Sequence, residues 1–332
     1  MSSTRLPRRR AATAVGAAAL LGLSACGAGG SGQDDGDAGG RYPLTVENCG
    51  DQVTLEQEPE RLVLLKSASV SSLHELGVLD RAVARAGAYP AGYWDEETAA
   101  ELADIEHLTG EMDPAGHLQI SKEVVIAQEP DLVMGEVENL GRDTLAAVDI
   151  PVLEEPALCP GGLEDPGFDS IYDQLEVYGE VFDREERAAE VIGSLQDRVS
   201  AVEDEVGDGD GRTAAVLYPT VGGGTTYAYG SRSMAHPQLE TAGFENAFGD
   251  VDERVFEVTQ EELLGRDPDV LVLLYSEGDP ERVEQAITQL PGAGDLTAVE
   301  NGDVMTHLFN FTEPPTPLAV DGLEAIVERF HR

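Results

Sequence analysis

Short apolar runs alternate with helix-like stretches through the first half of the chain. The apolar runs have the length and composition of buried strands, and the stretches between them place apolar residues at helical spacing. Such alternation indicates β-α-β units and a parallel sheet. The predicted strands lie at 61–65, 82–87, 131–135 and 150–155, and the predicted helices at 70–77, 121–128 and 139–148.

A second series of the same kind begins after Arg212. Its apolar runs are TAAVLYP, TTYAYG, DVLVLLYS and DVMTHLF, with helical stretches at 234–241, 259–265 and 280–289. One segment repeats: EVVIAQEPDLVMG starts at Glu123 and EELLGRDPDVLVL at Glu261, and each passes through a Pro-Asp into an apolar strand. We therefore predict an α/β fold of two Rossmann-like lobes with mostly parallel central sheets and a ligand cleft between them.

A helix joins the two series. Apolar residues at Ile171, Leu175 and Tyr178 recur at helical spacing, and Asp169 suits the N-cap. The chain is also longer than one hydrophobic core usually supports. The predicted division is an N-terminal lobe at 41–167, a joining helix at 168–182 and a C-terminal lobe at 183–332.

The first forty residues differ in composition from the rest. Residues 1–25 combine an arginine-rich start with a short apolar stretch and small residues, which is typical of a signal peptide. The position of Cys26 in LSAC resembles the bacterial lipoprotein signal, in which that cysteine becomes the acylated first residue of the mature chain. Residues 26–40 are rich in glycine, serine and aspartate and predict a flexible tether.

These features imply a protein that is exported and lipid-anchored at the extracytoplasmic face of the cell membrane. The general and the twin-arginine export routes both stay open. An ordinary signal peptide with an incidental cysteine is the alternative to the lipid anchor.

Lipidation of Cys26 leaves an even pair of cysteines, Cys49 and Cys159. In an oxidising compartment the simplest arrangement of such a pair is a disulfide. Two free buried thiols are the alternative.

The chain is strongly acidic, with a formal net charge of −43. This charge excludes nucleic acid and anionic lipid as general partners. The acidic residues are spread along the whole chain, which indicates a solvated surface and bears on solubility rather than on function.

The glycine-rich stretch GGGTTYAYGSRSMAHP at 222–237 matches no catalytic or phosphate-binding motif. It has no lysine and continues as a strand, which argues against a phosphate loop, and its serines lack the spacing of a nucleophile elbow. The chain shows no paired catalytic carboxylates and no dinucleotide fingerprint. Its histidines do not stand at tight metal-ligand spacing, so a direct zinc or manganese receptor remains only an alternative. A binding protein is favoured over an enzyme.

Aromatic and basic residues follow the predicted strands at the ends where ligands of α/β proteins collect. Rings on such loops lose little entropy and offer broad apolar faces, so they suit a bulky and partly polar ligand. Tyr229 stands just before a loop, and Arg232 stands at the start of a helix, where an anion or carbonyl oxygen is favoured. The candidate ligand-binding residues are Lys66, Tyr89, Tyr93, Trp94, Arg142, Tyr229, Arg232, Tyr275, Phe309 and Phe311.

The order and spacing of these segments resemble the iron-siderophore, haem and cobalamin receptors of ABC importers. The resemblance covers residues 59–330 and rests on PERLVLL, LHELGVLDRAV, SKEVVIAQEPDLV, DIPVL, LETAGFENAF, TQEELLGRDPDVLVL and AVENGDVM. It implies a monomeric solute-binding protein, with two lobes joined by one long helix, that delivers its ligand unchanged to a permease and its ATPase.

The resemblance also implies a docking surface. In this family a glutamate on the outer face of each lobe meets arginines of the permease, and the residues at the matching positions are Glu123 and Glu261. Lys122 and Glu262 flank them, so a docking acid offset by one position is the alternative.

The charge of the chain bears on the ligand that the resemblance implies. A ferric catecholate carries about three negative charges and needs a cluster of basic groups. The plausible basic groups are Lys66, Arg142 and Arg232. A neutral or cationic ferric hydroxamate fits this balance better, and no cofactor besides the lipid anchor is expected.

Other ligands and other classes of protein remain as alternatives. Within the family they are cobalamin and haem, and haem would take Tyr93, Tyr229 or His236 as an axial ligand. Outside it they are an extracellular enzyme and a surface lipoprotein that binds a partner protein without transport.

Overall fold

The structure, a computed structural model, describes residues 41–111, 118–207 and 209–331. The described chain begins with an antiparallel hairpin of β1 (Leu44–Asn48) and β2 (Asp51–Leu55). Val46, Val53 and Leu55 are buried while their neighbours are exposed, so one face of the hairpin packs on the N-terminal lobe.

A parallel sheet of five strands forms the centre of the N-terminal lobe, in the order β5-β4-β3-β6-β7. The strands are β3 (Leu62–Leu64), β4 (Ala82–Ala86), β5 (Glu106–Thr109), β6 (Leu132–Met134) and β7 (Val152–Leu153). The helices are α1 (Val70–Glu75), α2 (Glu96–Asp104), α3 (Lys122–Ile126) and α4 (Arg142–Ala146). The order of strands reverses between β3 and β6, the switch point at which open α/β sheets form a crevice.

The predicted strands and helices of this lobe are confirmed, but α2 and β5 were not predicted. In α2 only Thr98 and Leu102 are buried, so the helix carries a narrow apolar stripe. In β5 no residue is fully buried, because it lies at the edge of the sheet.

Two long helices, α5 (Phe168–Phe182) and α6 (Glu185–Val206), connect the N-terminal sheet to the C-terminal lobe. Helix α5 runs through Gly179 to Phe182. A Cβ atom at Gly179 would lie 2.8 Å from the Cβ of Ala188, so glycine allows the two helices to approach closely. Asp183 ends α5 in a left-handed conformation with φ 54°.

A six-stranded mixed sheet forms the centre of the C-terminal lobe, in the order β11-β9-β8-β12-β13 with β10 also paired to β8. The strands are β8 (Thr213–Pro219), β9 (Thr226–Tyr229), β10 (Glu245–Asn246), β11 (Val255–Val258), β12 (Val270–Tyr275) and β13 (Val304–Leu308). The helices are α7 (Ala235–Thr241), α8 (Gln260–Arg266), α9 (Pro280–Thr288), α10 (Thr297–Asn301) and α11 (Pro317–His331). Strands β10, β12 and β13 run parallel to β8, and β9 and β11 form an antiparallel edge.

One apolar cluster passes through both lobes. It includes Leu73 of α1, Tyr178 of α5, Val216 of β8 and Ile326 of α11. Helix α11 packs against α6 and also reaches α1 of the other lobe. Residues 41–332 accordingly form one compact unit. Within the described ranges, every helix is too short or too polar to cross a membrane.

Candidate ligand-binding site

A cavity of about 500 Å³ opens between the lobes at the carboxyl ends of their strands. Its N-terminal wall includes Lys66 and Ser67, which follow β3, and Glu136, which follows β6. The cavity therefore lies at the switch point of the N-terminal sheet and at the carboxyl ends of its strands, where the sequence predicted a ligand cleft. The C-terminal wall consists of Ser276, Phe309, Asn310 and Pro314.

Hydrogen bonds cross from one wall to the other beside the cavity. The backbone amide of Asn310 donates to the hydroxyl of Tyr93 at 3.0 Å, and the side-chain amide of Asn310 donates to the hydroxyl of Ser67 at 3.2 Å. The two lobes also approach closely at Gly92, where a Cβ atom would lie 2.7 Å from the Cδ1 of Leu308. Burial raises the pKa of Tyr93, so its hydroxyl is neutral.

Lys66 is the one cationic side chain among the described residues that line the cavity. Its ammonium group lies 2.5 Å from the carboxylate of Glu154, which is 2% exposed and follows β7. The same carboxylate accepts the backbone amides of Glu136 and Glu155, each at 2.9 Å. Glu154 thus offsets the charge of Lys66 from behind the cavity wall.

Acidic side chains complete this wall. Glu136 and Glu138 both line the cavity. Glu136 accepts the backbone amide of Arg142 at 3.0 Å and lies 3.6 Å from its guanidinium group. The wall therefore carries no excess of positive charge.

Glu155 lies behind Glu154 and is 3% exposed. Its carboxyl group accepts a hydrogen bond from the hydroxyl of Tyr178 on α5 at 2.8 Å. Burial raises the pKa of Glu155 to about 7, against the lowering effect of the Tyr178 hydrogen bond and with a smaller rise from the nearby Glu154. The carboxyl group of Glu155, which can bind a proton, thus connects the region behind the cavity wall to helix α5.

Three predicted residues line the cavity, namely Lys66, Tyr93 and Phe309. Tyr89 and Tyr275 line an adjacent hollow of about 410 Å³ that shares Pro90 and Ser276 with the cavity. The hydroxyl of Tyr89 donates to the backbone oxygen of Leu64 at 3.0 Å, so its ring rather than its hydroxyl faces the hollow.

Arg142, Trp94 and Phe311 do not line either space. Arg142 donates to the backbone and side-chain oxygens of Asn48, each at 2.6 Å, and pairs with Asp51 at 3.0 Å, so it fastens the hairpin to the lobe. Trp94 and Phe311 pack against Tyr93, with ring centroids 5.4 Å and 5.5 Å away. They support a lining residue instead of forming the lining.

Tyr229 and Arg232 are also outside the cavity. Tyr229 is 4% exposed and belongs to the core cluster, because β9 lies inside the sheet between β8 and β11. Arg232 is half-buried in the turn after β9, where its backbone amide donates to Glu253. The expectation that this stretch forms a wall of the cleft does not match the described lining residues, which include neither of these side chains.

Several lining residues carry neither a ring nor a basic group and were not predicted from the sequence. Glu136 directly follows a predicted strand and Ser276 ends one, so their position at strand ends could have identified them. Nothing in the sequence distinguished Glu154 or Asn310, because their roles depend on partners 88 and 217 positions away.

The two proposed docking glutamates occupy equivalent places. Glu123 lies in the first turn of α3 and Glu261 in the first turn of α8, and both are exposed. Glu262 lies 3.3 Å from Arg266 one helical turn later, so it already has a partner. This difference favours Glu261 over its neighbour.

The predicted disulfide is confirmed. Cys49 and Cys159 are bonded, with their Cα atoms 5.2 Å apart, and they join the hairpin turn to the loop after β7. Cys26, the predicted lipidation site, lies outside the described residues. Within the described residues, no group of three histidine, cysteine, aspartate or glutamate side chains is arranged to hold a metal ion.

Comparison with known proteins gives consistent matches. Residues 62–307 match the family described as periplasmic binding protein. A crystal structure described as an ABC-type Fe3+-hydroxamate transport system, from Saccharomonospora viridis, is 57% identical, has a TM-score of 0.82 and covers 88% of this chain and 100% of that chain. The similarity confirms the α/β architecture of two lobes.

Two further relatives are more distant. The cobalamin-binding protein of Halobacterium salinarum is 25% identical over 306 residues, which cover 90% of this chain and 76% of that protein. The uncharacterized ABC transporter substrate-binding lipoprotein YvrC of Bacillus subtilis is 20% identical over 294 residues, which cover 87% of this chain and 86% of that protein.

Proposed function

Because the chain belongs to the periplasmic binding protein family, we propose that it is the lipid-anchored receptor of an ABC importer and that it captures a ferric siderophore of the hydroxamate type. The ligand lies in the cavity between the lobes and is released unchanged to the permease. The relative from Saccharomonospora viridis, whose description names Fe3+-hydroxamate transport, supports this choice.

The single observation that carries the proposal is the charge of the cavity wall. Lys66, its one cation among the described lining residues, is paired with Glu154, and Glu136 and Glu138 add negative charge. A ferric catecholate carries about three negative charges, and their desolvation against this wall would find no compensating group among the described lining residues. A ferric trihydroxamate core is neutral, so it enters without that cost.

The apolar part of the wall suits the same ligand. Leu65, Leu118, Val137, Leu158 and Phe309 offer carbon surface for the alkyl chains of a hydroxamate siderophore. Ser67, Ser276 and Asn310 offer hydrogen-bonding groups for its oxygen atoms. This combination of apolar surface with a few polar groups is typical of small-molecule sites.

Delivery to a permease accounts for the paired surface glutamates. Glu123 and Glu261 begin equivalent helices of the two lobes and are exposed, so they suit two equivalent arginine-bearing surfaces of a permease driven by its ATPase. Lipidation at Cys26, followed by a tether, would hold a monomeric receptor at the extracytoplasmic face of the membrane.

Cobalamin is the second candidate, because a relative 25% identical to this chain is named a cobalamin-binding protein. A corrinoid is much larger than a hydroxamate chelate and would have to extend from the cavity into the adjacent hollow lined by Tyr89 and Tyr275. Haem has less support. Of Tyr93, Tyr229 and His236, only Tyr93 is among the described lining residues, and its hydroxyl already accepts the Asn310 amide.

Fluorescence titration tests the proposal. Trp94, the single tryptophan, packs on the lining residue Tyr93, so ligand binding in the cavity should change its emission. The ligands are a ferric trihydroxamate, a ferric tricatecholate, cyanocobalamin and haemin, with Trp94→Phe as the control for the reporter. We expect the hydroxamate to bind most tightly. Tighter binding of the catecholate, the corrinoid or haemin would overturn the assignment.

A further inference from the structure

We propose that Glu154, which does not itself line the cavity, determines the net charge of the iron chelate that the cavity accepts. Glu154 offsets the positive charge of Lys66 from behind the cavity wall. The ammonium group of Lys66 can then donate hydrogen bonds to a ligand while the pair carries no net charge. The ligand class is therefore a ferric hydroxamate of zero or positive net charge, and chelates with an anionic tail are rejected. This inference rests on the proposed function, because it concerns the same cavity.

Lys66 places its positive charge at the cavity wall. The side chain is 32% exposed and its ammonium group lies at the cavity wall, 2.5 Å from the Glu154 carboxylate. Only 3% of the Glu154 side chain is exposed, so on this side of the pair solvent screens the attraction between Lys66 and Glu154 weakly. An incoming ligand therefore meets Lys66 and the opposite charge of Glu154 together.

Hydrogen bonds hold Glu154 in a fixed position. Its carboxylate accepts the backbone amides of Glu136 and Glu155 at 2.9 Å. Its backbone is held as well, because its amide donates to Asn48 Oδ1 at 2.9 Å and its carbonyl oxygen accepts from Asn48 Nδ2 at 2.8 Å. The negative charge is fixed in place before any ligand arrives, which is the condition for electrostatic selection.

The other charged residues among the described lining of the cavity are acidic. On the N-terminal wall, Glu136 and Glu138 are acidic, and Arg142, which partly offsets Glu136, faces the hairpin. The described lining residues of the C-terminal wall carry no formal charge. Among the described residues, Glu154 is the acid that is paired directly with Lys66. Removal of its charge would leave Lys66 without this ion-pair partner and would make the charge of the wall more positive by one unit.

A matched set of ligands separates charge from shape. The ferric complex of desferrioxamine B ends in a primary ammonium group and carries one positive charge. Acetylation of that amine gives a neutral chelate, and succinylation gives one with a terminal carboxylate and one negative charge. The iron-binding core is the same in all three, so a ratio of affinities reports the charge of the site.

Three variants test the assignment: Glu154→Gln, Lys66→Gln and the double variant Lys66→Gln/Glu154→Gln. We expect Glu154→Gln to raise the affinity ratio of the succinyl to the ammonium chelate by about tenfold or more, from Coulomb's law across the cavity at an effective dielectric constant of about 20 to 40. Lys66→Gln should lower the ratio by a similar factor. The double variant, in which both charges are absent, should return it close to the wild-type value.

Glu300→Gln is the control for net charge, because Glu300 is exposed on α10 at the opposite end of the sheet from the cavity. It should leave the ratio unchanged. Thermal unfolding shows whether each variant folds, and if Glu154→Gln does not fold, Lys66→Gln and the double variant decide the question. A Lys66→Gln protein that keeps the wild-type ratio overturns the inference.

Two results separate failure of the inference from failure of the proposed function. If the wild type binds the chelates but Glu154→Gln changes all three affinities by one common factor, Glu154 is a structural support and the inference is wrong. If the wild type binds none of the three chelates up to millimolar concentration, the hydroxamate function fails and the inference fails with it.

Discussion

The hydroxyl of Tyr93 accepts a hydrogen bond from the backbone amide of Asn310 at 3.0 Å, across 217 positions of sequence and from one lobe to the other. Tyr93 is 6% exposed and Asn310 is 7% exposed, so water does not readily replace either partner. The ring of Tyr93 also packs on Trp94 and Phe311. One residue thus forms part of the cavity lining and part of the contact between the lobes.

Tyr93→Phe tests this double role. The substitution keeps the ring but leaves the Asn310 amide without its acceptor, so the free energy of unfolding should fall by about 1 to 3 kcal/mol. Tyr89→Phe is the matched control, since the Tyr89 hydroxyl donates to carbonyl oxygens of its own lobe. Urea denaturation measures both. A loss for Tyr93→Phe no larger than that for Tyr89→Phe would contradict the assigned interlobe role.

Glu155 predicts a specific dependence of stability on pH. Burial raises its pKa to about 7 from the usual value of 4.5. Below about pH 4.5 the carboxyl group is protonated in both folded and unfolded chains. Between the two values the folded protein retains a proton that the unfolded chain releases, so this contribution to stability is lost as the pH rises towards 7.

Glu155→Gln removes that titration. The free energy of unfolding of Glu155→Gln should rise relative to that of the wild type as the pH increases from 5 to 8, by about 2 to 3 kcal/mol at pH 8. Thermal unfolding at four pH values measures the difference. Glu176→Gln, an exposed carboxyl on α5, controls for the loss of one acidic group. A gap between wild type and Glu155→Gln that is constant with pH would refute the buried titration.

The disulfide predicts a large effect on stability. It closes a loop with a sequence separation of 110 residues, for which the chain-entropy model gives about 4 to 5 kcal/mol. Cys49→Ser/Cys159→Ser should therefore unfold at a lower urea concentration, with a loss of about 2 to 5 kcal/mol. A reductant should destabilise the wild type in the same way and leave the double variant unaffected. Equal stability of reduced and oxidised wild type would show that the bond adds little.

Glu123 and Glu261 predict a separation of binding from transport. Glu123→Ala/Glu261→Ala should abolish importer-dependent uptake and keep the affinity for the ferric chelate, because both residues lie on exposed helix starts away from the cavity. Glu97→Ala/Glu284→Ala removes exposed acids from helices of the same two lobes and should leave uptake intact. Normal uptake by the first variant would exclude these residues from docking.

The predictable part of the structure is the part that depends on local pattern. The strands β3, β6, β8 and β12 are nearly continuous apolar runs, because parallel strands buried on both faces leave no polar side. Elements with little buried surface, such as β5 and α2, carry a weak signal and were missed. The hairpin β1–β2 was missed as well, since its alternation spans only a few residues.

The candidate site was predictable only in outline. Strand ends placed Lys66 at the cavity wall, because the residue after a parallel strand lies at the edge where α/β proteins bind ligands. The same argument failed for Tyr229, which ends a strand inside the sheet and turns into the core. An aromatic ring at a strand end can either line a cleft or close a lobe, and packing decides between the two.

By itself, the sequence determined two α/β lobes and the place of Lys66 directly after a strand, and it favoured the pairing of Cys49 with Cys159, since these follow from periodicity and cysteine count. Only the tertiary structure decided the electrostatics of the site. Glu154 lies 88 positions from Lys66 and 106 positions from Asn48. It meets Lys66 because the parallel strands β3 and β7 end at one edge of the sheet, and it meets Asn48 because the hairpin packs on the lobe at that edge. The charge that a ligand meets is set by such distances, and they exist only in the folded chain.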